Sequence, residues 1–176
     1  MGPERRQALV LAAYDRIARH GFDGLRLRDV ATDVGIDHST IHHHFPTKQD
    51  LITAVVDHAT GQFRSTTPRE GTAADRLRAH LGALVKMIEE RPELHAVLRE
   101  LDVRATRDPS LRVVVAEREQ GWRAALTEVF RQEDAWVAGL TPSAGAELVI
   151  ATVKGASLRP ETARLILHHL EELIIR

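Results

Sequence analysis

Leu27-Arg28-Asp29-Val30-Ala31-Thr32-Asp33-Val34-Gly35-Ile36-Asp37-His38-Ser39-Thr40-Ile41-His42-His43-His44-Phe45-Pro46 is the stretch on which the reading of this chain turns. A short helix is expected near residues 27–34, and Gly35-Ile36-Asp37 then supplies a turn whose last residue is placed to cap a further helix. That helix is about seven residues long and ends before Phe45-Pro46. Two short helices around a glycine-containing turn, the second polar and exposed, form the arrangement in which one helix enters the DNA major groove while the other braces it on the backbone.

Outward from this stretch the periodicity stays helical. Leu9, Ala12, Ala13 and Ile17 recur at spacings of three and four on a first helix over 4–20, with His20-Gly21 as its stop. Thr47-Lys48-Gln49-Asp50 reads as a capping box opening a fourth helix with Leu51, Val55 and Ala59 on its inner face. After a loop at Thr66–Gly71, Leu77, Leu81, Leu84, Val85 and Ile88 stripe a fifth helix, and Leu94, Val97, Leu98 and Leu101 a sixth. Asp108-Pro109 and Thr141-Pro142 each pair an N-cap with proline at the first helical position, opening the seventh and eighth, and a ninth starts near Pro160. The expected fold is all-α, about nine helices, with a three-helix head at 1–46 and a helical body at 47–176.

At 176 residues with 43% hydrophobic and 28% charged residues, the chain can bury a core of its own. No apolar run reaches membrane-spanning length, and the N-terminus lacks the apolar segment of a signal peptide, so a soluble cytoplasmic protein is expected. The absence of cysteine removes disulfides, thiolate metal sites and cysteine nucleophiles. Net charge is −1, and residues 1–64 hold equal numbers of basic and acidic side chains, so bulk charge does not argue for nucleic acid. The histidines are unevenly placed, with His38, His42, His43 and His44 crowded on the third helix.

The longer string Gly21-Phe22-Asp23-Gly24, Leu27-Arg28-Asp29-Val30-Ala31, Val34-Gly35-Ile36, Ser39-Thr40-Ile41, His44-Phe45-Pro46-Thr47-Lys48 and Leu51 resembles the N-terminal domain of the TetR family of transcriptional regulators over about residues 6–58. The resemblance implies that residues 38–44 are the recognition helix, that Phe45 anchors the core, and that Lys48 meets a phosphate at the start of the fourth helix. Arg28 would brace the second helix on the backbone. The chain has His42 where that family usually has tyrosine, and Leu25-Arg26 where it usually has Ser or Thr. His42 can still donate through a ring N–H, and Arg26 replaces a hydroxyl contact with a charged one. The expected DNA contacts are Arg26, Arg28, His38, Ser39, Thr40, His42, His43, Thr47 and Lys48.

In the body, Leu111, Val114, Val115, Trp122, Ala125, Leu126 and Val129 stripe the seventh helix, and Arg118 falls inside that stripe. It is either an internal ion pair, with Glu89, Glu100 or Glu119 as partner, or a cation lining a pocket. The resemblance implies an effector cavity among the fifth to eighth helices, which His80, Met87, Arg118 and Trp122 would line for an unknown small molecule. His80 also reads as a core histidine with a local hydrogen bond. The apolar segments near 143–157 and 160–175, with small residues Ala151, Thr152, Gly155 and Ala156, suit a two-fold helical interface, and Leu170 is placed at its axis.

The resulting expectation is a homodimeric, ligand-responsive repressor that binds a pseudo-palindromic site in double-stranded DNA and catalyses nothing. A rival is a helical binding module whose head has lost DNA affinity, favoured by the head's neutral charge. A small metal protein is the weaker rival: His38 and His42 stand at i and i+4, yet no histidine follows Glu or Asp by three positions, as helical-bundle metal sites require. No metal, cofactor or membrane partner is expected.

Overall fold

The computed structural model describes residues 2–64, 66, 70–132 and 135–176. Among these residues the helices are α1 (Gly2–His20), α2 (Leu27–Val34), α3 (His38–His44), α4 (Lys48–Arg64), α5 (Ala73–Glu90), α6 (Pro92–Ala105), α7 (Pro109–Phe130), α8 (Pro142–Ser157) and α9 (Pro160–Ile174), with a 3-10 turn at Phe22–Gly24. The loop expected over 66–71 lies partly outside the described residues. The fold is all-α. One isolated antiparallel bridge, Trp136 with Ile175, ties the α7–α8 connection to the end of α9.

Side-chain caps set where the helices begin. Asp37 accepts from the Ser39 N–H at 2.9 Å, Thr141 from the Ala144 N–H at 3.3 Å, and Asp108 from the Ser110 and Leu111 N–H groups at 3.1 and 3.2 Å. Thr47 and Asp50 form a reciprocal box: the Thr47 N–H donates to Asp50 Oδ2 at 2.9 Å and the Asp50 N–H to Thr47 Oγ1 at 3.1 Å. Gly35 ends α2 with φ of 71° and ψ of 32°, the left-handed conformation that costs a side-chain-bearing residue most. Its N–H reaches Thr32 O at 3.0 Å, and the Ile36 N–H reaches Ala31 O at 3.0 Å, which turns the chain into α3.

By proximity of their backbones the residues fall into two units. One holds residues 1–60 with 96–118, the other 61–95 with 119–176. In the first unit α1 packs on α2 and α2 on α3. Leu9, Ile17, Leu25, Val30, Ile41, Phe45, Leu51 and Val55 are buried there. Arg6 lies over the Phe45 ring at 4.6 Å from its centroid, adding a cation–π contact at the rim. Glu100 on α6 accepts from the Phe22 N–H at 3.4 Å, holding the turn after α1.

In the second unit α9 packs on both α5 and α8. Gly145 permits a close approach there, because a Cβ at that position would stand 2.6 Å from the Phe130 ring. The inner stripe of α9 is Ala163, Leu167, Leu170 and Ile174. This corrects the placement of Leu170 at a two-fold axis: its side chain is only 5% exposed within a single chain, because steps of four, three and four put it in line with the core positions. The large apolar residues exposed on α8 and α9 are Leu148, Leu165 and Leu173, the last 72% exposed, with Leu158 exposed in the turn between them.

Candidate nucleic-acid interface

α3 buries one residue, Ile41, and Phe45 immediately after it is fully buried, so the short helix is pinned by its back and its end. His38, Ser39, His42 and His43 are exposed, and Thr40 is half-buried. The Ser39 hydroxyl donates to Asp37 Oδ1 at 2.8 Å, and together with the Ser39 N–H it holds the Asp37 carboxyl below its usual range. The cap is therefore ionised, and the Ser39 proton is committed to it. The His38 and His42 rings meet edge-to-face at 5.3 Å.

His42 Nδ1 lies 3.3 Å from Pro46 O. A carbonyl only accepts, so the proton sits on Nδ1 and the outward Nε2 of the neutral ring carries a lone pair. Protonation converts Nε2 into a donor.

Arg26 and Arg28 at the start of α2 and Lys48 at the start of α4 are all exposed, and none has an ion-pair partner among the described residues. The acidic residues of the same unit are differently placed. Asp29 and Asp33 both pair with Arg16, which holds the Asp33 carboxyl below its usual range through a hydrogen bond to the guanidinium. Asp37 and Asp50 are committed to caps, and Asp57 pairs with Arg118. A region that is neutral in sum thus commits five carboxylates to arginines or caps while leaving three cations without an ion pair near α3. Thr47 belongs to the capping box, and its hydroxyl donates to Asp50 Oδ2 at 2.7 Å. Lys48 is held below the usual lysine range by partial burial and then by the charge of Arg104, with Asp23 opposing.

Among the residues expected around an effector, His80 and Trp122 come together. The Trp122 Nε1–H donates to His80 Nε2 at 3.0 Å, and His80 Nδ1 lies 2.9 Å from Thr66 Oγ1. Indole only donates, so Nε2 is the acceptor and Nδ1 carries the ring proton. His80 is fully buried, and burial drives its imidazole from 6.5 down to about 4. Met87 is half-buried on α5.

Arg118 pairs with Asp57 in the first unit, not with the three glutamates named from sequence. Those have other engagements: Glu89 with Arg164, Glu100 with the Phe22 N–H, and Glu119 with Arg123 and Lys154. Neither Asp57 nor Thr66 carried a signal in the sequence, since Asp57 meets Arg118 only through the packing of helices 61 residues apart and Thr66 meets His80 from outside any helix.

Comparison with known proteins places this geometry. Residues 9–55 match the family of bacterial regulatory proteins described as the tetR family, and residues 73–172 match the BetI-type transcriptional repressor C-terminal region. The chain is 25% identical over 170 residues to the HTH-type transcriptional regulator CymR of Pseudomonas putida, covering 89% of this chain and 79% of that protein. A TetR-family transcriptional regulator from Rhodococcus sp. superimposes with a TM-score of 0.83 at 26% identity, over 98% of this chain and 99% of that one. A transcriptional regulator from Saccharomonospora viridis in complex with choline shares the fold, with a TM-score of 0.77 at 20% identity over 99% of both chains. With both its N-terminal and C-terminal regions matched, the chain belongs to the tetR family of bacterial regulatory proteins and is a DNA-binding transcriptional regulator.

Proposed function

We propose that the chain is a homodimeric, ligand-responsive repressor whose head, residues 1–46, binds a pseudo-palindromic operator and whose body, residues 47–176, holds the effector and the dimer contact. The observation that carries the reading is the sorting of charge in the first unit: Asp29, Asp33, Asp37, Asp50 and Asp57 are tied to Arg16, Arg118 or caps, while Arg26, Arg28 and Lys48 stand unpaired around an exposed polar α3. On this reading His38, Ser39, Thr40, His42 and His43 enter the major groove, and Arg26, Arg28, Thr47 and Lys48 hold backbone phosphates. The Thr47 hydroxyl would have to leave Asp50 to donate. The protein acts in the cytoplasm and by recognition alone, with no reaction assigned to it.

The dimer forms through α8 and α9, whose outward Leu148, Leu165 and Leu173, with Leu158 in the turn between them, are exposed in the single chain. The effector meets His80, Met87 and Trp122. Arg118 is engaged by Asp57 in the first unit, so an effector need not be anionic.

The test begins with genomic fragments retained by the purified protein, followed by footprinting of the bound DNA. Two protected half-sites about one helical turn apart, roughly 34 to 36 Å, are expected, with affinity falling linearly in log salt. Absence of duplex binding at low salt would instead mean that the head is a protein-binding surface. Choline, held by the Saccharomonospora relative, is the first effector probe, read by its effect on melting temperature and on release of the retained fragment.

A further inference from the structure

A groove of about 590 Å³ opens in the first unit between the 3-10 turn, the start of α2, the start of α4 and the end of α6. Arg26, Lys48 and Arg104 line it, one from each of three separate segments, together with Asp23, Gln49 and Asp108. We propose that Arg104 is a further DNA contact: with Arg26 and Lys48 it holds a backbone phosphate of duplex DNA in this groove, so that α6 itself touches DNA. The inference rests on the DNA-binding reading above and extends it to a helix outside the head.

Three features support a phosphate at this place. Three cations face two carboxylates in the groove, Asp23 and Asp108, so it keeps a net positive charge even though Asp108, ionised as the cap of α7, also acts on Arg104. Lys48 is held below its usual range first by partial burial and then by the like charge of Arg104, a repulsion that an anion between them relieves. The Gln49 Nε2 is shielded from solvent without a hydrogen-bond partner among the described residues, placing an unused donor in the same wall. Arg104 is exposed, and its guanidinium stands 6.0 Å from the centroid of the buried Phe22 ring, which orients the planar fork that suits phosphate.

The experiment measures binding of the full-length protein to a labelled mixed-sequence duplex at a series of salt concentrations, for the wild type, Arg104→Gln, Arg104→Lys, Lys48→Ala and Asp23→Asn. Arg104→Gln is expected to make the slope of log K against log salt shallower by about one per protomer, and Arg104→Lys to restore it. Lys48→Ala should reduce the slope by a similar amount, and Asp23→Asn should raise affinity a few-fold. An Arg104→Gln slope equal to wild type, with Lys48→Ala shallower, would overturn the inference and leave Arg104 as a neighbour of Phe22 that affects only melting temperature. If Lys48→Ala is unchanged as well, the DNA reading of the α4 start fails and this proposal falls with it. Should Arg104→Gln not fold, Asp23→Asn decides: unchanged affinity overturns the proposal.

Discussion

Acidification should destabilise this protein through one buried ring. His80 is fully enclosed, accepts from Trp122 at Nε2, and titrates at about 4 instead of 6.5 because burial penalises its charged form. Between those two values the unfolded chain binds a proton at His80 and the folded chain does not, so stability rises with pH across the window. The contribution is complete above 6.5, is lost progressively as pH falls, and is gone below about 4. At about 1.4 kcal/mol per pH unit the full gap is worth about 3 kcal/mol, of which roughly 2.5 kcal/mol is lost by about pH 4.5. Protonation would also turn the Trp122 N–H toward another donor.

The assay is urea unfolding followed by circular dichroism at near pH 7 and about pH 4.5, for the wild type and His80→Gln. Glutamine can accept from Trp122 but does not titrate, so subtracting the two stabilities cancels every other acid-sensitive group. The wild-type advantage should shrink by about 2 to 3 kcal/mol on acidification. A difference that stays flat across the window would refute the claim that the folded protein keeps His80 neutral.

Three further outcomes follow from the same geometry. Leu170→Glu places a carboxylate in the α9 core and should cost more than about 3 kcal/mol with early loss of helical signal, whereas Leu173→Glu should leave folding nearly unchanged and give monomers by sedimentation. Gly145→Ala drives a methyl into the Phe130 ring and should lower stability by about 1 to 2 kcal/mol in thermal melts, despite the better helix propensity of alanine. Because the Nδ1–H of His42 is turned to Pro46 O, its outward Nε2 can accept from a base-edge amino group in the major groove; His42→Ala should therefore weaken operator binding several-fold while leaving the salt slope unchanged. An unchanged affinity would mean that His42 does not face the bases.

What the residues alone determined here is local. Helix starts were legible because Asp37, Thr47, Asp108 and Thr141 each satisfy amides within three residues of themselves, and helix faces because apolar spacing repeats within a single turn. The head was legible for a second reason: its motif is compact, and Gly35, Ile41 and Phe45 each answer a need set by their immediate neighbours.

Tertiary structure decided everything that needed a partner from afar. The periodicity of α9 makes Leu170 and Leu173 equally apolar, and only the packing of α5 and α8 determines that one is core and the other outward. Arg118 required an anion, but its stripe did not say which, and the fold supplied Asp57 from another helix. Charge balance behaved likewise: composition makes the head neutral, and the arrangement of Arg16 against Asp29 and Asp33 leaves its cations outward. A sequence constrains contacts three or four residues apart through helical geometry, whereas pairs separated by many tens of residues meet only after the helices have packed.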